Sequence, residues 1–156
     1  MIIDGKKEAQ LLRDEIKKEI ESIKSKNNKV PGLTVILIGD FAPSQIYVKN
    51  KQKNAKEVGI NSEVVKYSKE VSEQEVLKKI RELNDNDAVS GILVQLPLPP
   101  QINKEKIINS IDPLKDVDGF HPINVGNLSS GYNAIVPCTP MAVSYTHLTL
   151  PTTPYV

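Results

Sequence analysis

Cysteine is almost missing from this chain. Cys138 stands alone among 156 residues, which excludes an internal disulfide framework and agrees with a reducing compartment. No apolar run approaches the length of a membrane span, and the amino terminus passes from Met1 straight into a charged helical pattern without a signal-peptide core. Excess charge is lacking too. Against 19 Asp and Glu stand 20 Lys and Arg, a formal net charge of +1, so nothing general points to nucleic acid or an acidic membrane as partner. A cytoplasmic protein is the simplest expectation. From Pro122 onward there is no Asp, Glu, Lys or Arg at all, an abrupt change in a sequence that is 25% charged.

What is present describes a soluble globular protein with one real core and too little length for two full domains. Asp4 is placed to cap a helix reaching about Lys26, with Leu11, Leu12, Ile16, Ile20 and Ile23 along one side as a covering face. Residues 33–38 form an almost continuous branched apolar run, the pattern of a strand buried on both faces of a parallel sheet. After the turn at Gly39, Pro43 and Ser44 favour a helix start, and Gly59 supplies its stop after Val58. Residues 61–67 alternate as a second strand; Ser72 and Glu75 make a capping box for a helix with Val76, Leu77, Ile80 and Leu83 on its apolar stripe. Residues 91–96 read as a third buried strand halted by Pro97, and residues 103–110 as a short helix. This alternation predicts an α/β fold in three layers, a mainly parallel sheet with helices on both faces.

Residues 115–126 form a long stretch dense in functional residue types, expected as an irregular loop. Beyond it, Thr139 and Pro140 are placed to start a helix that the Thr- and Pro-rich residues 144–156, with no helical period, do not continue.

Tyr47 and Lys51 lie four apart on the helix that follows the first strand, so ring and ammonium share one face. The bland alternative is a half-buried Tyr beside a solvated Lys. Gln95 sits near the carboxyl end of the third strand, where open α/β sheets keep their ligand crevice; either it reaches Lys51 or it satisfies nearby backbone. Asp116, Asp118 and His121 could be metal ligands, but two carboxylates and one imidazole without a second cluster fit better as hydrogen-bond partners of a ligand's amino and ring NH groups. Lys49, Lys53 and Lys56 form a basic stripe, either a solvated face or a lure for an anionic tail.

Together these residues resemble the bifunctional methylenetetrahydrofolate dehydrogenase/cyclohydrolase family. The likeness covers about residues 1–143 and rests on Tyr47-Val-Lys-Asn-Lys51 with Lys53, Gly91-Ile-Leu-Val-Gln-Leu-Pro-Leu-Pro99, Lys115-Asp-Val-Asp-Gly-Phe-His-Pro122 with Asn124 and Gly126, and Pro137-Cys-Thr-Pro140. Four such segments in one order and spacing make a specific signal, although Gly39-Asp-Phe-Ala-Pro-Ser44 departs from the commoner family turn. The resemblance implies Lys51 as the catalytic lysine, Tyr47 packed on the folate, Gln95 orienting the lysine and Asp118 holding the pterin, with Val94 and Leu96 also at the substrate. It further implies oxidation of 5,10-methylenetetrahydrofolate with NADP, or NAD, and hydrolysis of the methenyl product to 10-formyltetrahydrofolate by a homodimer. A cationic product and partial burial both disfavour the ammonium form of Lys51, which suits a base toward water.

The family's second, Rossmann half has no counterpart here: no Gly-x-Gly-x-x-Gly turn follows Pro140, so a cofactor site is not expected in this chain. The expectation is therefore a folate-binding domain at 1–143, the amino-terminal half of the enzyme, joined to an unrelated tail at 144–156. Alternatives are a natural short form with its own tail, a non-catalytic folate-binding module, and the first domain of a shikimate-type dehydrogenase.

Overall fold

The branched run that begins at Leu33 becomes the centre of the molecule. The computed structural model describes residues 4–27 and 29–148. Its elements are α1 (Gly5–Asn27), β1 (Gly32–Ile38), α2 (Ala42–Glu57), β2 (Asn61–Tyr67), α3 (Glu73–Asn84), β3 (Gly91–Val94), α4 (Lys104–Ser110), α5 (Pro122–Ser129) and α6 (Cys138–Leu148). The sheet has the order β2-β1-β3 with both pairings parallel, Ile36 standing opposite Val65 on one side and Val94 on the other. On one face Ile36, Ile38, Ile92 and Val94 pack against Val76, Ile80 and Leu83 of α3 and Ile107 of α4. On the other, Val35, Leu37 and Leu93 meet Val48 of α2. The expected three-layer α/β arrangement is the one observed. Full burial of a Val or Ile is worth about 1.5–3 kcal/mol, which outweighs the cost of up to roughly 0.7 kcal/mol for placing a branched residue in a helix. That balance keeps Val76 and Ile80 helical.

Two caps form as expected. Asp4 accepts from the Lys6 and Lys7 amides at 3.1 and 3.2 Å, and the Ser72 hydroxyl accepts from the Glu75 amide at 3.2 Å. Elsewhere the boundaries move. Helix α2 begins at Ala42, so Pro43 falls in its first turn and Ser44 is already inside it. Strand β3 stops at Val94, before Gln95 and Leu96, although the Gln95 amide still donates to the Ile36 carbonyl at 2.9 Å. The stretch 115–126 is not irregular throughout: His121 caps α5, its Nδ1 accepting from the Ile123 amide at 3.2 Å, and Pro122 opens the helix.

Helix α6 starts at Cys138 and runs through Ser144 to Leu148, past the expected stop. No Pro or Gly falls between Pro140, in its first turn, and Pro151. Thr146 turns its hydroxyl back to the Ala142 carbonyl at 2.8 Å and His147 Nδ1 meets the Val143 carbonyl at 2.8 Å, so the polar side chains serve the helix instead of breaking it. The rest of the expected tail, 149–156, lies outside the described residues. Helix α1 also differs from a covering helix: of its apolar side only Ile20 is buried, while Leu11, Leu12 and Ile23 are exposed. Among the described residues no helix is long and apolar enough to cross a membrane.

Candidate active site

Because β1 and β3 run parallel, the turn into α2 and the segment after β3 leave the sheet at the same edge. Buried Val48 pins α2 to the sheet and sets the direction of its other residues. Lys51, half-buried, then reaches Gln95, its Nζ donating to Oε1 at 3.3 Å. The other end of the Gln95 amide donates to the Leu96 carbonyl at 2.9 Å. Tyr47, one turn before Lys51, is 62% exposed as a residue and stands at the rim, open to a flat partner. Val94, paired with Ile36 in the sheet, puts its side chain in the core and not on the open face. Leu96 is half-buried and lines a cavity of about 480 Å³ with Ile108, Phe120 and Pro122.

Asp118 comes from further along the chain. Residues 115–117 run beside β3, with a parallel bridge between Ile92 and Asp116 and the Ile92 amide donating to the Lys115 carbonyl at 2.7 Å. Gly91 permits this approach, since a Cβ there would lie 2.4 Å from Val117 Cγ1. Two residues beyond the bridge, Asp118 comes within electrostatic reach of Lys51. Its carboxyl is held above the ordinary value of 3.8, chiefly by burial; the Lys51 ammonium pulls it down and the Asp116 carboxylate pushes it up. Gly119 follows with φ +67, in the left-handed region, and a Cβ there would lie 2.4 Å from the Ile135 carbonyl oxygen.

The neighbouring candidates have a different use. Asp116, 2% exposed, accepts from the His121 amide at 2.8 Å and from Asn124 Nδ2 at 3.0 Å, and Asn124 also donates to the Pro113 carbonyl at 2.9 Å. Asp116 and His121 thus spend polar atoms on shaping the loop that presents Asp118. Among the described residues no group of three potential ligands is arranged for a metal ion. Lys49, Lys53 and Lys56 are exposed, and at about 100° per residue they fall on the side of α2 roughly opposite Tyr47 and Lys51. An anionic tail would have to cross the helix to reach them.

Lys51, Gln95 and Asp118 therefore converge, with Tyr47 at the rim. The catalytic-domain model of the tetrahydrofolate dehydrogenase/cyclohydrolase family matches residues 3–118. The chain belongs to this family. Among its relatives, the bifunctional protein FolD of Pelagibacter ubique is 61% identical over 141 residues, 90% of this chain and 50% of that protein. The crystal structure of the bifunctional enzyme FolD from Campylobacter jejuni is 47% identical with a TM-score of 0.86, over 90% of this chain and 50% of that one. A Trypanosoma brucei FolD, solved with NADP cofactor and inhibitor, is 36% identical with a TM-score of 0.87, over 92% and 49%. The chain spans about half the length of the curated relatives it matches.

Within the family's frame one residue escaped the sequence reading. Ser44, taken there as a helix starter, is buried and donates its hydroxyl to the Leu96 carbonyl at 3.2 Å. The available signal was its spacing: seven residues before Lys51, two turns along the same helix face.

Proposed function

We propose that this chain is the folate-binding half of a methylenetetrahydrofolate dehydrogenase/cyclohydrolase and that Lys51 serves the hydrolytic step. The single observation that carries the reading is the 3.3 Å contact between Lys51 Nζ and Gln95 Oε1, with the Asp118 carboxyl in the electrostatic reach of the same ammonium. Tyr47 offers its ring to the flat part of the substrate. Asp118 accepts from the pterin's amino and ring NH groups, donors that replace the water its burial removed. The backbone at Val94 and Leu96 completes the wall.

The substrate of the hydrolysis is the cationic methenyl bridge between two nitrogens. Water adds to the bridging carbon and loses one proton, leaving a hydroxyl there; the bond from that carbon to one nitrogen then breaks as that nitrogen takes a proton and the hydroxyl gives up its own, so that a formyl carbonyl stays on the other nitrogen. Overall, methenyl cation and water give 10-formyltetrahydrofolate and one proton. Lys51, when unprotonated, takes the proton of the attacking water and is placed to return one to the departing nitrogen. Gln95 fixes the amine for both transfers.

The oxidation step uses NADP or NAD, and among the described residues the turn between β1 and α2 does not fit a dinucleotide. The turn between β1 and α2 holds a single glycine, Phe41 at the cap and Pro43 without an amide hydrogen, where a phosphate needs a row of bare N–H groups. Hydride transfer and the homodimer belong to the family's whole length. The same reading takes residues 1–143 as the family domain and 144–156 as a foreign continuation of it; reading the gene past codon 143 for a Gly-rich βαβ pattern in another frame tests that boundary.

Two measurements test the function. The purified chain is expected to bind tetrahydrofolate, and Lys51→Met to leave that affinity within a few-fold. In a protein extended over the family's whole length, Lys51→Met should lower methenyltetrahydrofolate hydrolysis by about 10²–10⁴, the worth of a general base. Hydrolysis retained by that variant overturns the assignment.

A further inference from the structure

We propose that Ser44 is a positioning residue for Lys51, acting through the Leu96 carbonyl and the Gln95 amide. Four groups stand in line: Ser44 Oγ donates to the Leu96 oxygen at 3.2 Å, Gln95 Nε2 donates to that oxygen at 2.9 Å, and Gln95 Oε1 accepts from Lys51 Nζ at 3.3 Å. A side-chain amide by itself can face either way. A backbone carbonyl only accepts, so the Leu96 oxygen compels the NH₂ end of Gln95 to face it and leaves the oxygen end for Lys51. With two lone pairs, that carbonyl is filled by its two donors.

The hydroxyl of Ser44 has no competing duty in the helix. The cap of α2 is Phe41, with no side-chain cap bond, and Ser44 sits beyond it at 4% exposure. The segment after β3 is thereby tied to α2 at two points two turns apart, Ser44 at one and Lys51 at the other. The backbone N–H of Gln95 is held separately, by its bond to the Ile36 carbonyl at 2.9 Å, so only the side-chain amide depends on Leu96. Loss of the hydroxyl frees the Leu96 carbonyl to turn, and the turn passes to Lys51 through Gln95. Ser44 touches neither Lys51 nor the open face where substrate would lie, so its part is to hold, not to react.

The inference rests on the catalytic reading of Lys51 for its functional meaning, but its test does not. In the isotope-labelled chain, Ser44→Ala should speed hydrogen exchange of the Gln95 side-chain NH₂ about fivefold, the equivalent of roughly 1 kcal/mol for one neutral hydrogen bond, and shift the Lys51 Nζ signal, with the melting temperature little changed. Ser44→Thr, which keeps the hydroxyl, should restore both signals. Wild-type signals in Ser44→Ala overturn the proposal, and so does a Ser44→Thr variant that behaves like Ser44→Ala. Tetrahydrofolate affinity of the same samples separates the two readings: a wild-type chain that fails to bind folate removes the proposed function and leaves the exchange ratio standing.

Discussion

Burial holds the Asp118 carboxyl above its ordinary value, and the nearby Lys51 ammonium does not cancel that effect. A carboxyl raised on folding favours the fold while it is protonated, so its contribution is full below the ordinary value of 3.8 and is lost as pH rises through the raised folded value. Ionised Asp118 is therefore a local liability at neutral pH, tolerated at a site where a ligand with two donors would satisfy it. Asp118→Asn should raise the melting temperature at neutral pH, and the gain should vanish in acid below the ordinary carboxylate range. Thermal unfolding of both proteins across that window checks the sign; an Asn variant less stable at neutral pH would contradict it. Folate affinity of the same variant should fall. Gln95 and Asp118 stood out in the sequence as polar residues at a strand end and in a loop, and Tyr47 and Lys51 by lying four apart on one helix. Ser44 was not, since a Ser beside Pro in a βα turn already has an ordinary role as a helix starter, and only the approach of Leu96 from 52 positions away gives it another.

At the scale of elements, the packing of α3 was written in apolar spacing, whereas the loop carrying Asp118 was not. Its frame consists of single long-range polar contacts that no periodicity announces. Lys115 Nζ donates to the carbonyls of Leu83, Asn84 and Asn86 at 3.0, 2.6 and 2.9 Å, capping the carboxyl end of α3 with a cation where the helix dipole favours one. Asn84 joins the same corner, donating to the Ser110 carbonyl at 2.8 Å and accepting from the Asp112 amide at 3.0 Å. Lys115→Met keeps the stem and removes the donors, so it should destabilise the chain by about 2 kcal/mol, the range for hydrogen bonds to charged groups. Urea unfolding measures this; an unchanged midpoint would show that the three carbonyls are satisfied without Lys115. The extension of α6 was missed for a related reason. Thr and His lower helix propensity only slightly, and their i−4 contacts to backbone make residues 144–148 acceptable in a helix that has already begun.

For the whole molecule the decisive asymmetry is where charge stops. All 39 charged Asp, Glu, Lys and Arg side chains lie before Pro122, and the part beyond it exposes Val125, Leu128, Tyr132, Met141 and Val143. Val125, Leu128, Val136, Pro140 and Met141 line one apolar groove of about 550 Å³ between α5 and α6. Contiguous apolar surface of this kind marks a face that expects cover, and in relatives twice as long further chain is at hand to supply it. Here little repulsion opposes contact between copies, with a net charge of +1 and a sequence pI of about 7.8. The chain should therefore self-associate as concentration rises, most strongly near that pH. Leu128→Lys, on the exposed side of α5, should weaken the association without lowering the melting temperature, because Leu128 is 42% exposed and outside both cores. Sedimentation velocity over a concentration series decides it. A wild-type chain that stays monomeric at high concentration near its isoelectric point would mean that the groove is covered from within.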